Sequence, residues 1–453
     1  MTTDLLRRAL GSIMNLPHPG HMLEGDAFRS WLDGAGLVHG KVSLATGAAR
    51  GFDKQGMGRV AELAKKLREK EPRYRRGVGA SAFIGHVADI LVAGFEDFRP
   101  EEVGDEHATA LDEAVDGWFR SEAVTRRHFI PCVITPYSAK PISVGPVTFI
   151  HGSQFSSHPL GMPDGDVLDG LTLDLMRDAM TERAATWVAV VDVDGFVPSR
   201  SSEMADLAVD VAVGVLQLII HPGMSRRMAR VTARTLPPWR GSFVVADGRF
   251  SPTIDNLQPG RELPGPELDT MMEKAGCLPA AGGRCLTAFL DGEGPFSKLR
   301  LAWCDAVYWF HEGLAEPLDS LAVAKMETAV EVLLRAESSK NSGTRMKEAL
   351  RVLTGLNPED NMDRESGIKV KDFVGRLVGA RSRVLHGTVS TLLGELAPER
   401  GDLTAVVHSL LVAFVVCLEV YVQDAVAEDD IRVFLEWLAR KREEASRPVP
   451  VGA

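Results

Sequence analysis

The stretch KDFVGRLVGARSRVLHG, residues 371–387, decides the reading of this chain. Its apolar residues recur every three or four positions, the spacing of one helix face. Val374, Leu377, Val378 and Leu385 form that stripe. Arg381 falls inside it and Arg383 points away. An arginine on a buried face requires an anionic partner, because an unpaired buried charge is very costly. A carboxylate of the fold or the phosphate of a substrate would serve. His386 lies five positions on, about 140° round an ideal helix from Arg381, so one straight helix does not aim both at one point. Three arrangements would bring them together: an unwound last turn, which Gly387 permits; an arginine reaching round the helix; or two chains pairing their motifs across a symmetric interface.

The two residue types suit RNA cleavage. Arginine keeps its charge and can hold a phosphate, while histidine moves protons near neutral pH. His386 falls in the last helical turn, where the macrodipole favours a cation and tends to raise its pKa. A plainer reading stands beside this one. Histidine followed by glycine is a common helix C-terminus, with glycine in the left-handed cap position.

Outward from this stretch the pattern stays helical. Phe296–Ala315, Ser320–Ala336, Thr344–Leu353, Lys371–Leu385, Leu403–Val426 and Ile431–Glu444 read as helices with short connections, an antiparallel bundle over residues 296–447. Residues 256–295 are dense in Pro and Gly and read as a linker or long loops. Residues 128–255 read as mixed α/β. Strands are expected at Phe129–Thr135, Pro146–His151 and Trp187–Val193, helices at Leu171–Arg183 and Met204–Ile220, the latter capped by Ser201-Ser202-Glu203. A hairpin is expected around Asp247-Gly248. Residues 1–127 read as mainly helical, with Gly58–Glu71, Ser81–Phe95 and His107–Phe119 amphipathic. The fold class expected is α+β: a mixed α/β N-terminal region followed by a C-terminal all-α helical bundle.

The 453 residues exceed one simple core. Net charge is -11, so an RNA partner would need a local basic patch. Five scattered cysteines without a CxxC pair read as reduced thiols, and a zinc site from Cys277 and Cys285 is not expected. The Arg7-Arg8 start lacks the apolar stretch of a signal peptide. The run Leu410–Leu418 is too short to span a bilayer and reads as a buried helix. A cytoplasmic protein without membrane contact, metal or cofactor is the expectation.

At residues 381–387 the chain resembles the HEPN superfamily, most closely its ApeA-like branch, which carries Arg-Ser-x-x-x-His-Gly. Upstream, residues 299–334 resemble the family's first two helices, with Glu327 where a helix-two glutamate is usual. TRMKEALRVL resembles the next helix, with Arg345. The likeness covers roughly the last third of the chain. It implies a bundle that dimerises and a metal-independent endoribonuclease with Arg381 and His386 of both protomers in one cleft. Ribose 2′-hydroxyl attack would leave a 2′,3′-cyclic phosphate and a 5′-hydroxyl. Ser382 and Glu327 would support the pair, and such proteins often act as toxins or in phage defence. Ser382 stands where many active members have Asn, Asp or His, and some members are non-catalytic.

Arg345, Lys371, Arg376 and Arg383, together with Lys340, Lys347, Arg351 and Lys369, form a basic surround suited to the backbone of tRNA or mRNA. Interleaved acidic residues make a solvated helix face an equal reading. The N-terminal region would sense a trigger, restrain the nuclease or recruit substrate or a regulatory partner. The alternatives are a non-catalytic module for dimerisation or RNA binding, and a scaffold. Other motifs read as structure. Gly77-x-Gly79 is a turn in a basic segment, and Asp192-x-Asp194-Gly195 ends a strand. His151-Gly152-Ser153 with His158 lacks a nucleophile elbow. Trp303, Tyr308, Trp309 and His311 are core.

Overall fold

In a computed structural model the chain divides into two compact units, residues 1–126 with 193–203, and residues 127–192 with 204–453. The described residues are 2–16, 34, 36–42, 49–95, 100–155, 178, 180–232, 239–247, 249–335, 339–362, 367–388, 390, 392 and 396–446. The fold is α+β, with a five-stranded sheet ahead of a C-terminal helical bundle.

The first unit begins with α1 (Thr2–Leu10), β1 (Ile13–Leu16), β2 (His39–Val42) and β3 (Ala49–Phe52). These strands form a small antiparallel sheet in the order β1-β3-β2, absent from the mainly helical expectation. Four-residue strands are too short for alternation to mark them. Then come α2 (Lys54–Lys70), α3 (Pro72–Gly77), α4 (Ala80–Gly94) and α5 (Asp105–Glu122). Asp53 caps α2 by accepting the Gly56 N–H at 2.6 Å. The predicted stripe Val60, Leu63 and Leu67 is buried with Phe52, Phe83 and Leu111.

Pro72 does end α2, but it also opens α3 from its first position, where no N–H is needed. The basic segment is dispersed within α3. Arg73 is paired to Asp116, Tyr74 is buried, and the Arg76 guanidinium lies 4.8 Å from the Phe196 ring. Gly77 is required by contact: a Cβ there would lie 2.5 Å from both the Gly195 carbonyl and the Phe119 ring.

The second unit contains β4 (Arg126–Val133), β5 (Ile142–Val144), β6 (Val147–His151) and the one-turn α6 (Gly152–Phe155). β7 (Trp187–Val193), α7 (Pro198–Ile219), of which residues 198–203 belong to the first unit, the one-turn α8 (Pro222–Ser225) and β8 (Ala229–Arg230) follow. The sheet order is β5-β6-β7-β4-β8. β7 is buried almost throughout, as its apolar run requires. The long helix starts at Pro198, not at Met204, because proline's fixed φ suits the first turn and Ser201 is buried inside the helix. The expected helix Leu171–Arg183 lies largely outside the described residues.

β9 (Trp239–Ala246) and β10 (Arg249–Asn256) form the expected hairpin. The segment 256–295 is not simply a linker, since it carries α9 (Gly265–Lys274) and α10 (Leu278–Asp291). Its prolines and glycines are start and stop signals. Pro266 and Pro279 stand in first turns, and Gly292 at φ +69° closes α10.

The bundle follows as α11 (Ser297–Ala315), α12 (Asp319–Leu333), α13 (Ser339–Ala349), α14 (Val370–Leu385), α15 (Ala397–Tyr421) and α16 (Ile431–Ser446). A π-helical turn, Leu350–Thr354, extends α13, and Arg442 of α16 donates to its Val352 and Leu353 carbonyls. By length and apolarity α15 would cross a bilayer, but it packs against α10, α11, α12, α14 and α16. Leu403, Leu410, Leu411 and Phe414 are fully buried there. Trp303 is core as expected, with its indole N–H donating to the Leu411 carbonyl at 2.9 Å.

Candidate active site

α14 presents Val370, Phe373, Val374, Leu377, Ala380 and Val384 to the core. The buried face is turned slightly from the predicted stripe, so Leu385 is exposed and Val384 takes the inward position. Arg381 therefore lies at the margin of the buried face, with its side chain about one-fifth exposed (20%).

The anionic partner demanded by that position comes from the fold. Arg381 Nη1 donates to Glu331 Oε1 at 2.5 Å, and Arg381 Nε lies 3.9 Å from Glu327 Oε2. Glu327 and Glu331 stand four positions apart on α12, one turn of the same face. Glu327 is fully buried. Among the described residues, neither of its carboxyl oxygens has a hydrogen-bond partner, nor does Arg381 Nε. Burial pushes the Glu327 carboxyl up to about 8, with Glu331 adding to the rise and Arg381 opposing it. Near neutral pH Glu327 is thus mostly protonated.

His386 ends α14 with regular geometry rather than an unwound turn. Its N–H donates to the Ser382 carbonyl at 3.0 Å. The Gly387 N–H reaches the Val384 carbonyl at 3.2 Å, and the Thr388 N–H reaches the Arg383 carbonyl at 2.9 Å. With Gly387 at φ +66°, these two bonds make the paired closure of a Schellman cap. Gly387 thus serves as the cap residue of the plainer reading, and the unwound-turn arrangement does not occur. His386 and Ser382 are exposed.

A groove of about 610 Å³ nonetheless gathers the motif. Arg381, Ser382 and His386 line it together with Glu327, Lys347 and Lys371. Lys347 projects from α13 and Lys371 from the first turn of α14, so cations meet from two helices. Lys371 Nζ is held by Glu359 at 2.9 Å, an exposed pair of the weakly stabilising kind. Arg345, Arg376 and Arg383 do not line the groove. Arg345 donates to the Leu334 carbonyl at 2.6 Å and to that of Arg335, closing the end of α12. Arg376 pairs with Asp402 at 2.5 Å, and Arg383 is exposed.

The sequence alone leaves open whether a carboxylate or a substrate phosphate partners Arg381, and Glu331 is not among the expected site residues. The signal was present as a second glutamate one turn beyond Glu327. The other motifs remain structural. Asp192 is bound by both arms of Arg127 at 2.8 Å, and Asp194 accepts from Thr125 at 2.6 Å. His151 Nδ1 lies 2.8 Å from Ser153 Oγ, a local contact over one turn, and His158 is outside the described residues. No protein-family model matches the chain, and neither a curated protein nor a solved structure is significantly similar to it.

Proposed function

We propose that this chain is a metal-independent endoribonuclease of the HEPN type, acting on RNA in the cytoplasm in phage defence or as a toxin. The observation that carries the reading is the shared groove, where Arg381, Ser382 and His386 meet Lys347 and Lys371. Its lysines and arginine suit a phosphodiester backbone despite the net charge of -11.

In the proposed reaction the ribose 2′-oxygen bonds to the adjacent phosphorus and the bond to the 5′-oxygen breaks. The 2′ proton passes to a neutral His386, and a protonated His386 supplies the 5′-oxygen. Two histidines in opposite protonation states serve these roles when bundles of two copies face one another. Arg381 stabilises the charge on the phosphorane once the phosphate displaces Glu331 from its guanidinium. The N-terminal α/β region would then sense a trigger, restrain the nuclease or recruit substrate.

A second reading is a non-catalytic bundle that dimerises or holds RNA. The Arg381–Glu331 pair and the regular cap at His386-Gly387 favour it. Incubation of the full chain with tRNA and total RNA in EDTA separates the two. The nuclease reading expects cleavage that Arg381→Ala and His386→Ala each abolish. RNA that is bound but left intact by wild type and variants alike supports the second reading.

A further inference from the structure

The hairpin of β9 and β10 has two unlike faces. Its register sets Trp239, Phe243 and Val245 beside Phe250, Pro252 and Ile254 on one side. On the other side Arg240 stands directly opposite Asp255, and Ser242 opposite Thr253. Such alternation belongs to a sheet that covers a core with one face and meets water with the other. Among the described residues none covers the apolar face. Trp239, Phe243, Val245, Phe250 and Ile254 are each 61–70% exposed. Phe243 and Phe250 stack on each other, with ring centroids 5.7 Å apart. A two-stranded hairpin is marginal in water by itself, and a contiguous apolar patch of this kind marks an interaction surface.

We propose that this hairpin is a self-association arm, its apolar face packing against the same face of a second copy of the chain. Three features choose that occupant. The face carries no charge, so two copies meet about a two-fold axis without repulsion. It also offers no cation to a phosphate, which sets it apart from the groove at Arg381. The area is sufficient: the exposed apolar side chains amount to roughly 600 Å² per copy, and a face-to-face pair buries about 1,200 Å², the lower bound of a stable interface. A lipid surface fits less well. Interfacial binders are rich in Lys and Arg on the polar face, whereas this hairpin balances two arginines with two aspartates in a chain of net charge -11. The contact is separate from the pairing of bundles in the proposed nuclease, and its test reads mass, not cleavage.

The test is the mass of the full chain by sedimentation equilibrium over a range of concentrations. Wild type is compared with Phe243→Glu/Ile254→Glu on the apolar face and Ser242→Glu on the polar face, with circular dichroism to verify folding. The double variant is expected to have half the wild-type mass, and Ser242→Glu to keep it. Wild type that stays monomeric, or a folded double variant that keeps the wild-type mass, overturns the proposal. Phosphatidylcholine–phosphatidylglycerol vesicles form a second arm. Wild-type binding that the double variant loses would assign the face to lipid and also overturn it.

Discussion

Arg381 and Glu331, fifty positions apart in sequence, are joined by a 2.5 Å contact between α14 and α12. The contact occupies the guanidinium on which the proposed chemistry depends. A phosphate entering the groove therefore competes with a carboxylate already in place. Glu331→Gln is expected to tighten binding of a single-stranded RNA, on the order of five- to tenfold if the lost pair is worth about 1 kcal/mol. Arg381→Ala is expected to weaken it. Fluorescence anisotropy at one fixed salt concentration measures both. Equal affinity of wild type and Glu331→Gln would show that the pair does not gate the arginine.

Glu327 makes stability fall with alkali. Its folded pKa of about 8 lies above the ordinary 4.5, so the folded chain keeps a proton that the unfolded chain releases. The contribution is full below about 4.5 and is lost as pH rises towards 8. Glu327→Gln removes this dependence. Its stability relative to wild type should improve by on the order of 2 kcal/mol between pH 5 and pH 8.5, given about 1.4 kcal/mol per pKa unit and partial screening. Urea unfolding at the two pH values measures the change. Parallel pH profiles would contradict it.

The cap at the end of α14 separates folding from chemistry. Gly387→Ala forces a Cβ into the left-handed region at φ +66° and should cost about 1 kcal/mol in urea unfolding. His386→Ala, at an exposed position, should stay within about 0.5 kcal/mol of wild type. A loss of cleavage in His386→Ala would then report on the imidazole itself.

His311 ties α11 to α7 through a neutral ring. Its Nδ1 lies 2.9 Å from Gln217 Oε1, and burial lowers its pKa to about 4. Asp210, Arg230, Glu312 and Lys325 are the charges around it. Because the folded pKa is depressed, the contribution is present above about 6.5 and is lost as pH falls towards 4. Asp210, raised to about 6 by burial, acts in the opposite sense in the acid range. His311→Gln should therefore lose less stability than wild type between pH 6.5 and pH 4.5. Thermal unfolding at both values measures it, and an equal loss would contradict the assignment.

What the sequence made legible was local. The helices of the bundle and the strand at Trp187–Val193 follow from apolar spacing within single segments. Helices α9 and α10 are hidden in the sequence because Pro266, Pro279 and Gly292 punctuate helices as readily as they break them. The pairing of Arg381 with Glu331 was open in the sequence, since no local pattern fixes which turn of α12 meets α14. Ideal helical spacing places Arg381 near the core but puts Leu385 inside as well. A small rotation of the real helix exchanged it for Val384.

The central claim is that Arg381 and His386 cut RNA by 2′-hydroxyl attack. An RNA oligonucleotide cut by the full chain in EDTA, compared with the same strand carrying one 2′-deoxyribose on the 5′ side of the cut linkage, tests it most directly. The account predicts 2′,3′-cyclic phosphate and 5′-hydroxyl ends, no cleavage at the deoxy position, and no cleavage by Arg381→Ala or His386→Ala. Cleavage at the deoxy linkage, 5′-phosphate ends, or RNA left identical by wild type and both variants would contradict it.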